Sequence, residues 1–199
     1  MRKKVSCILI LFILFAFKQN ETVVNQLINS AVKQTQTKVT YEPAYVKISY
    51  PGGDVPSNTG VCTDLIIRSY RAIGIDLQKE VHEDMLSNFK LYPKMWKLKQ
   101  PDSNIDHRRV PNLMCFLERK NSKLKITNKR EDYKPGDLVT WNLQNKTSVA
   151  GITHIGIVTN IKNADQTGYL IAHNIGGGNV LEDMLFNYTI IGHYRYLKY

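Results

Sequence analysis

Apolar residues recur every three to four positions through the first half of the chain and alternate through much of the second, which predicts helices first and a sheet after them. Val23, Val24, Leu27, Ile28, Ala31 and Val32 mark one amphipathic lead-in helix within residues 21–40. Tyr45 to Ile48 reads as a short strand or extended segment, and Pro51-Gly52-Gly53-Asp54 turns the chain. Leu65, Ile66, Ser69, Tyr70 and Ile73 predict a helix over about Val61 to Ile73, with Thr59 or Ser57 as its N-cap and Gly74 as its stop. Leu77, Val81, Met85 and Phe89 predict a second helix with its charged face, His82 included, turned to water. Leu113, Phe116 and Leu117 give a further apolar helical face beside Cys115.

Tyr92 to Arg109 has neither period. A long aperiodic stretch in a compact domain is usually functional or disordered, and Trp96, Leu98 and Ile105 favour an ordered loop. Strands are predicted at Lys123–Thr127, Leu138–Trp141, His154–Thr159, Tyr169–His173 and Ile190–Tyr196, with a sharp bend at Gly176-Gly177-Gly178. The fold class is therefore α+β, N-terminal helices packed on an antiparallel sheet.

Arg2, Lys3 and Lys4 precede an apolar run from Val5 to Phe17, too short to span a bilayer comfortably. Residues 1–20 read as a secretory signal, or, since only Ala16 is small near the cleavage region, as an uncleaved N-terminal anchor. The expected location is periplasmic or extracellular, with membrane association through the N-terminus as the alternative. Residues 41–199 are expected to form one domain with a real core. The formal charge is +10, and setting residues 1–20 aside removes four basic residues and no acidic one, leaving +6. That balance suits anionic surfaces such as cell-wall polymers or lipid headgroups. Scattered basic residues and an export signal argue against nucleic acid as a partner, and a monomer is expected.

Cys62 stands in the first turn of its helix, where the macrodipole and unpaired amides stabilise a thiolate. The competing readings are a small buried hydrophobe or half of a disulfide with Cys115, itself read as a packed thiol. Hydrolysis by a cysteine also needs an imidazole and a group that orients it. His154 opens one predicted strand and His173 nearly closes the next, so an antiparallel pairing can bring them together on one face. Asp106, His107 and Arg108 either line a cleft, Arg108 gripping an acidic group of the substrate, or form a surface ion-pair cluster. Cys62, His154 and His173 could also hold zinc, but no short-spaced ligand pair is present, and neither metal nor cofactor is expected.

These residues carry a resemblance. A cysteine at a helix start, then KPGDLVTW (134–141), then THIGIV (153–158), then a polar residue on the next strand resembles the NlpC-type and CHAP-type papain-fold cysteine peptidases and amidases of bacterial cell walls. The runs TGVCTDLIIRSYRAIGIDLQKEVHEDM, PDSNIDHRRVPNL, PGDLVTW, HIGIV, HNIGGG and GHYRY resemble, over residues 41–199, an exported bacterial family of unknown function within that superfamily. The resemblance implies Cys62 as nucleophile, with its own amide as an oxyanion donor. It makes His154 the general base and acid, and His173 the orienting residue, or Asn174 if the register differs by one. Asp64, Asp106, His107, Arg108 and Asn174 are the residues expected to bind the substrate. The implied reaction is cleavage of an amide bond, foremost in peptidoglycan, with another envelope amide or lipid substrate, or a non-catalytic binding module, as alternatives. Cys-Thr-Asp stands here where those enzymes typically have Cys-Ser-Gly.

Overall fold

The computed structural model describes residues 22–197. The expected signal or anchor at 1–20 lies outside the described residues, and among the described residues no helix is long and apolar enough to cross a membrane. Helix α1 covers residues 22–34, and Leu27, Ile28 and Ala31 on it are fully buried. Two short strands, β1 (Thr40–Tyr41) and β2 (Thr59–Gly60), pair in parallel. Then come α2 (Cys62–Arg71), α3 (Leu77–Asn88) and α4 (Val110–Arg119). The second half holds β3 (Leu138–Asn142), β4 (Thr153–Lys162), β5 (Tyr169–Asn174), β6 (Asn179–Glu182) and β7 (Thr189–Tyr194). The protein is α+β, as the two periods predict.

The five long strands form one antiparallel sheet in the order β6-β5-β4-β3-β7. Strand alternation divides its two faces. Leu138, Ile155, Ile157 and Ala172 pack with Leu65, Ile66 and Tyr70 of α2 in the main core. Val139, Trp141, Val158 and Ile171 point the other way and are covered by Tyr133, Met184 and Leu185. Burying a leucine-sized side chain stabilises by about 1.5–3 kcal/mol, so both faces contribute and neither is left wet.

Three local expectations change. Of the two readings of Tyr45 to Ile48 the strand is not formed, and the Ile48 amide donates to Asn104 Oδ1 at 2.9 Å. Lys123 to Thr127 is reduced to a single bridge from Lys123 to Tyr194. The α2 helix starts at Cys62 with Val61 as N-cap, and the Asp64 carboxylate accepts from the Val61 amide at 2.7 Å in place of a Ser57 or Thr59 cap. In the loop between α3 and α4 none of the three apolar residues is fully buried: Trp96 and Ile105 are half-buried, and Leu98 is exposed. Gln78 staples its surroundings by donating to Ser49 O and Ser103 O while accepting from the Gly53 amide.

Candidate active site

The β4–β5 ladder ends at Gly156 opposite His173. Glycine is needed there, because a Cβ at Gly156 would stand 2.6 Å from Ile171 Cγ2 and 3.2 Å from His173 Cβ. Beyond that pair the tip of α2 takes the place of further strand pairing. The Ile155 amide acts on the Cys62 sulfur, and Asn174 Nδ2 donates to Gly60 O at 3.4 Å. The cysteine thus meets the sheet where β4 and β5 separate, one residue from His154.

His154 and His173 share the Trp141 face of the sheet. His154 Nε2 and His173 Nδ1 are 3.0 Å apart, and the His154 ring lies 5.8 Å from that of Trp141. The register selects His173, and not Asn174, as the partner of His154. Asn174 is buried at the strand end, holding Gly60 and accepting from the Gly176 amide at 3.2 Å.

A residue that no sequence motif indicated completes the row. Glu182 Oε2 lies 3.2 Å from His173 Nε2. A carboxylate only accepts, so His173 Nε2 carries a proton, and the Nδ1 of the neutral ring accepts from His154 Nε2–H. The Nδ1 of His154 is then left with a free lone pair. Burial holds His154 down to about 3, with the His173 ring adding to the effect. Burial also lowers His173, against the pull of Glu182, so both rings are neutral at pH 7. The hint of Glu182 lay in the glycine run at 176–178, which makes a hairpin whose return strand, β6, sets Val180 opposite His173 and Glu182 opposite Ile171.

The thiol departs from expectation. Cys62 is only 6% exposed, and burial pushes it up to about 11, assisted by the Asp64 carboxylate. The amides of Ile155, Thr63 and Cys62 itself pull the other way without prevailing. The helix start therefore does not give an open, acidic thiol, because desolvation outweighs the dipole. No hydrogen bond joins Cys62 to His154 among the described residues. Cys62 and Cys115 are both free, so no disulfide forms between them.

The cleft over Cys62 has a volume of about 400 Å³ and is walled by Tyr41, Tyr45, Trp96, Arg109 and Thr153. Arg108 also borders it, but its guanidinium is not offered to a ligand. Nε and Nη2 reach Asp64 Oδ1 and Oδ2 at 2.9 and 3.0 Å, while Nη1 and Nη2 reach Ala44 O and Glu42 O at 3.3 Å. Asp64 is 2% exposed and committed to this pair and to the Val61 amide. Thr63 Oγ1 donates to Arg108 O at 3.0 Å, so both residues by which Cys-Thr-Asp departs from Cys-Ser-Gly grip Arg108.

The neighbours of Arg108 are buried too. Asp106, 1% exposed, accepts from the Asp102 amide and from Arg109 Nη1. His107, 2% exposed, is held neutral by burial, down to about 3, with the Arg108 charge contributing. These corrections have one cause. Residues 106–108 form a turn of 3-10 helix wedged between α3 and α4, which turns the charged run inward. Arg109 is the arginine that lines the cleft with a partly open fork, its guanidinium 4.2 Å above the Trp96 ring.

Residues 28–196 match a protein family described as a domain of unknown function (DUF1287), and the chain belongs to that family. It is 49% identical over 168 residues to the uncharacterized protein YijF of Escherichia coli (strain K12), the match covering 84% of this chain and 79% of the relative. Among solved structures it is similar, at 15% identity and a TM-score of 0.39, to one described as similar to a lipoprotein of the NLP/P60 family from Staphylococcus aureus subsp. aureus Mu50. That match covers 89% of this chain and 42% of the other, so the chain spans less than half of that protein's length.

Proposed function

We propose that this member of the DUF1287 family is an exported, papain-like cysteine hydrolase that cleaves an amide bond in peptidoglycan, within the stem peptide or between peptide and sugar. The observation that carries the reading is the row Glu182, His173, His154, which leaves a lone pair on His154 Nδ1 beside the strand residue whose amide acts on the Cys62 sulfur. Thiol and imidazole are both neutral at rest. In the proposed reaction His154 Nδ1 takes the Cys62 proton as Sγ attacks the carbonyl carbon, and the imidazolium returns that proton to the leaving amine. The resulting thioester is hydrolysed by a water that gives its proton to His154, which hands it to the departing thiolate. The Cys62 amide at the helix start would stabilise the oxyanion. Arg109, in place of Arg108, would meet a carboxylate of the substrate, and Tyr41, Tyr45 and Trp96 would pack on its apolar or sugar faces.

The test is digestion of purified sacculi with wild type and Cys62→Ala, with mass spectrometry of the released fragments. New amino termini that depend on Cys62 are expected and would name the bond. No Cys62-dependent product from sacculi, muropeptides or model amides would replace this reading by that of a binding module.

A further inference from the structure

The segment that brings Trp96 to the cleft presents a second surface to solvent. From Phe89 to Gln100 the chain holds Lys90, Lys94, Lys97 and Lys99 and no acidic residue, and all four lysines are exposed. Between them stand Leu91, 63% exposed, Met95, 47%, and Leu98, 37%, and Leu86 on the last turn of α3 is 61% exposed. The segment is ordered. Buried Tyr92 donates to Asp84 Oδ2 at 2.8 Å, the Cys115 thiol lies 3.6 Å from Leu91 O, and the Lys97 amide closes a turn on Lys94 O at 3.0 Å. Lys94 is tied to Phe89 O at 2.6 Å, whereas no ion pair involves Lys90, Lys97 or Lys99 among the described residues. The Asp84 carboxylate at its base is already matched by Arg119 and Lys120.

Single exposed leucines need no explanation. Four large apolar side chains interleaved with four cations, on an ordered segment lacking acids, are a different matter. Ammonium groups favour anionic headgroups while apolar tips enter the acyl boundary, a pairing that a polysaccharide does not offer. We infer that the face formed by residues 86–99 docks on an anionic lipid surface. Docking there would set the Cys62 cleft beside the membrane, because Trp96 belongs to both surfaces.

Co-sedimentation of the full chain with vesicles tests this, using phosphatidylcholine alone and phosphatidylcholine mixed with phosphatidylglycerol. The N-terminal apolar run is common to all variants, so differences between them report on this face. Each lysine near the surface is worth about fivefold in partitioning. Lys90→Gln/Lys97→Gln/Lys99→Gln should therefore bind the anionic vesicles about a hundredfold more weakly, with the loss fading in high salt. Leu91→Ser/Leu98→Ser should weaken binding to the same vesicles, and both variants should melt as wild type does, since every replaced side chain is exposed. If a multiple variant melts lower, the single lysine variants carry the test at about fivefold each. Lysine variants that bind anionic vesicles like wild type overturn the inference. So does equal binding of wild type to soluble polyglutamate with no effect of the leucine changes, which would make the surface a polyelectrolyte site.

Discussion

Replacing Arg108 by Met should cost the fold dearly while leaving the cleft walls in place. Asp64 and Arg108 side chains are 3% and 2% exposed, so solvent screens their pairing little. The substitution removes two charge-assisted hydrogen bonds at 2.9 and 3.0 Å and leaves the Asp64 carboxylate buried with the Val61 amide alone. Breaking a buried pair from one side costs about 3–5 kcal/mol. For a domain of this size each kcal/mol lowers Tm by about 2–4 °C, so Arg108→Met should melt about 6–20 °C lower. The uncompensated charge is the larger part of that loss, so Asp64→Asn/Arg108→Met should lose less than the two single changes added. Arg109→Ala, which releases a half-open fork, should shift Tm by far less. Calorimetry and urea unfolding read wild type and the four variants Arg108→Met, Asp64→Asn, Asp64→Asn/Arg108→Met and Arg109→Ala. An Arg108→Met variant that melts with wild type, yet needs far more substrate, would refute the assignment and return Arg108 to the role of a substrate clamp.

Acid should destabilise the fold through its buried imidazoles. His154 and His107 have folded values of about 3 against about 6.5 unfolded, so the unfolded chain binds more protons between those limits. Their contribution is complete above pH 6.5 and is lost as pH falls toward 3; at pH 5 each costs about 2 kcal/mol. Burial raises Asp106 and works in the opposite sense, so the profile is read in Asp106→Asn, where a urea midpoint that is flat from pH 7.5 to 5 would mean that these rings are not neutral. Iodoacetamide at pH 8 should modify half-buried Cys115 before Cys62, as peptide mapping would read; faster labelling of Cys62 would show an open thiolate that this structure lacks. Long-range 1H–15N spectra should find His173 with its proton on Nε2, and Glu182→Ala should let the ring exchange between tautomers. A wild-type His173 protonated on Nδ1 would contradict the row of hydrogen bonds.

Elements with a sustained period were legible: α2, α3 and α4, and β3, β4, β5 and β7, each carry an apolar face long enough to count. β6 was not, because Asn179-Val180-Leu181-Glu182 is short and half polar, and only its pairing with β5 makes it a strand. The diagonal approach of His154 and His173 could be anticipated from two neighbouring strands. The environment of Cys62 could not, since a helix start suggests a low thiol pKa, while burial depends on how Ile155 and the cleft walls close around it. Arg108, open in the sequence between a cleft residue and a surface ion pair, could not be placed for a similar reason. Its partner stands 44 residues earlier in the chain, and a run of charges in an aperiodic loop gives no sign of which face will be buried.

The end of the β4–β5 ladder also bears on the order of folding. Gly60 and Asn174 meet across 114 residues, and Tyr70 Oη bonds Tyr196 O across 126. Contacts of such separation are slow to form, because a long loop must close before they stabilise anything. A chain emerging from its N-terminus first therefore presents the Cys62 helix long before β4, β5 and β6 exist to receive it. Throughout that interval the thiol lacks Ile155 and the rest of the sheet that buries it in the finished fold. The burial that raises the Cys62 thiol is therefore absent from the growing chain, and it arrives only when the sheet forms.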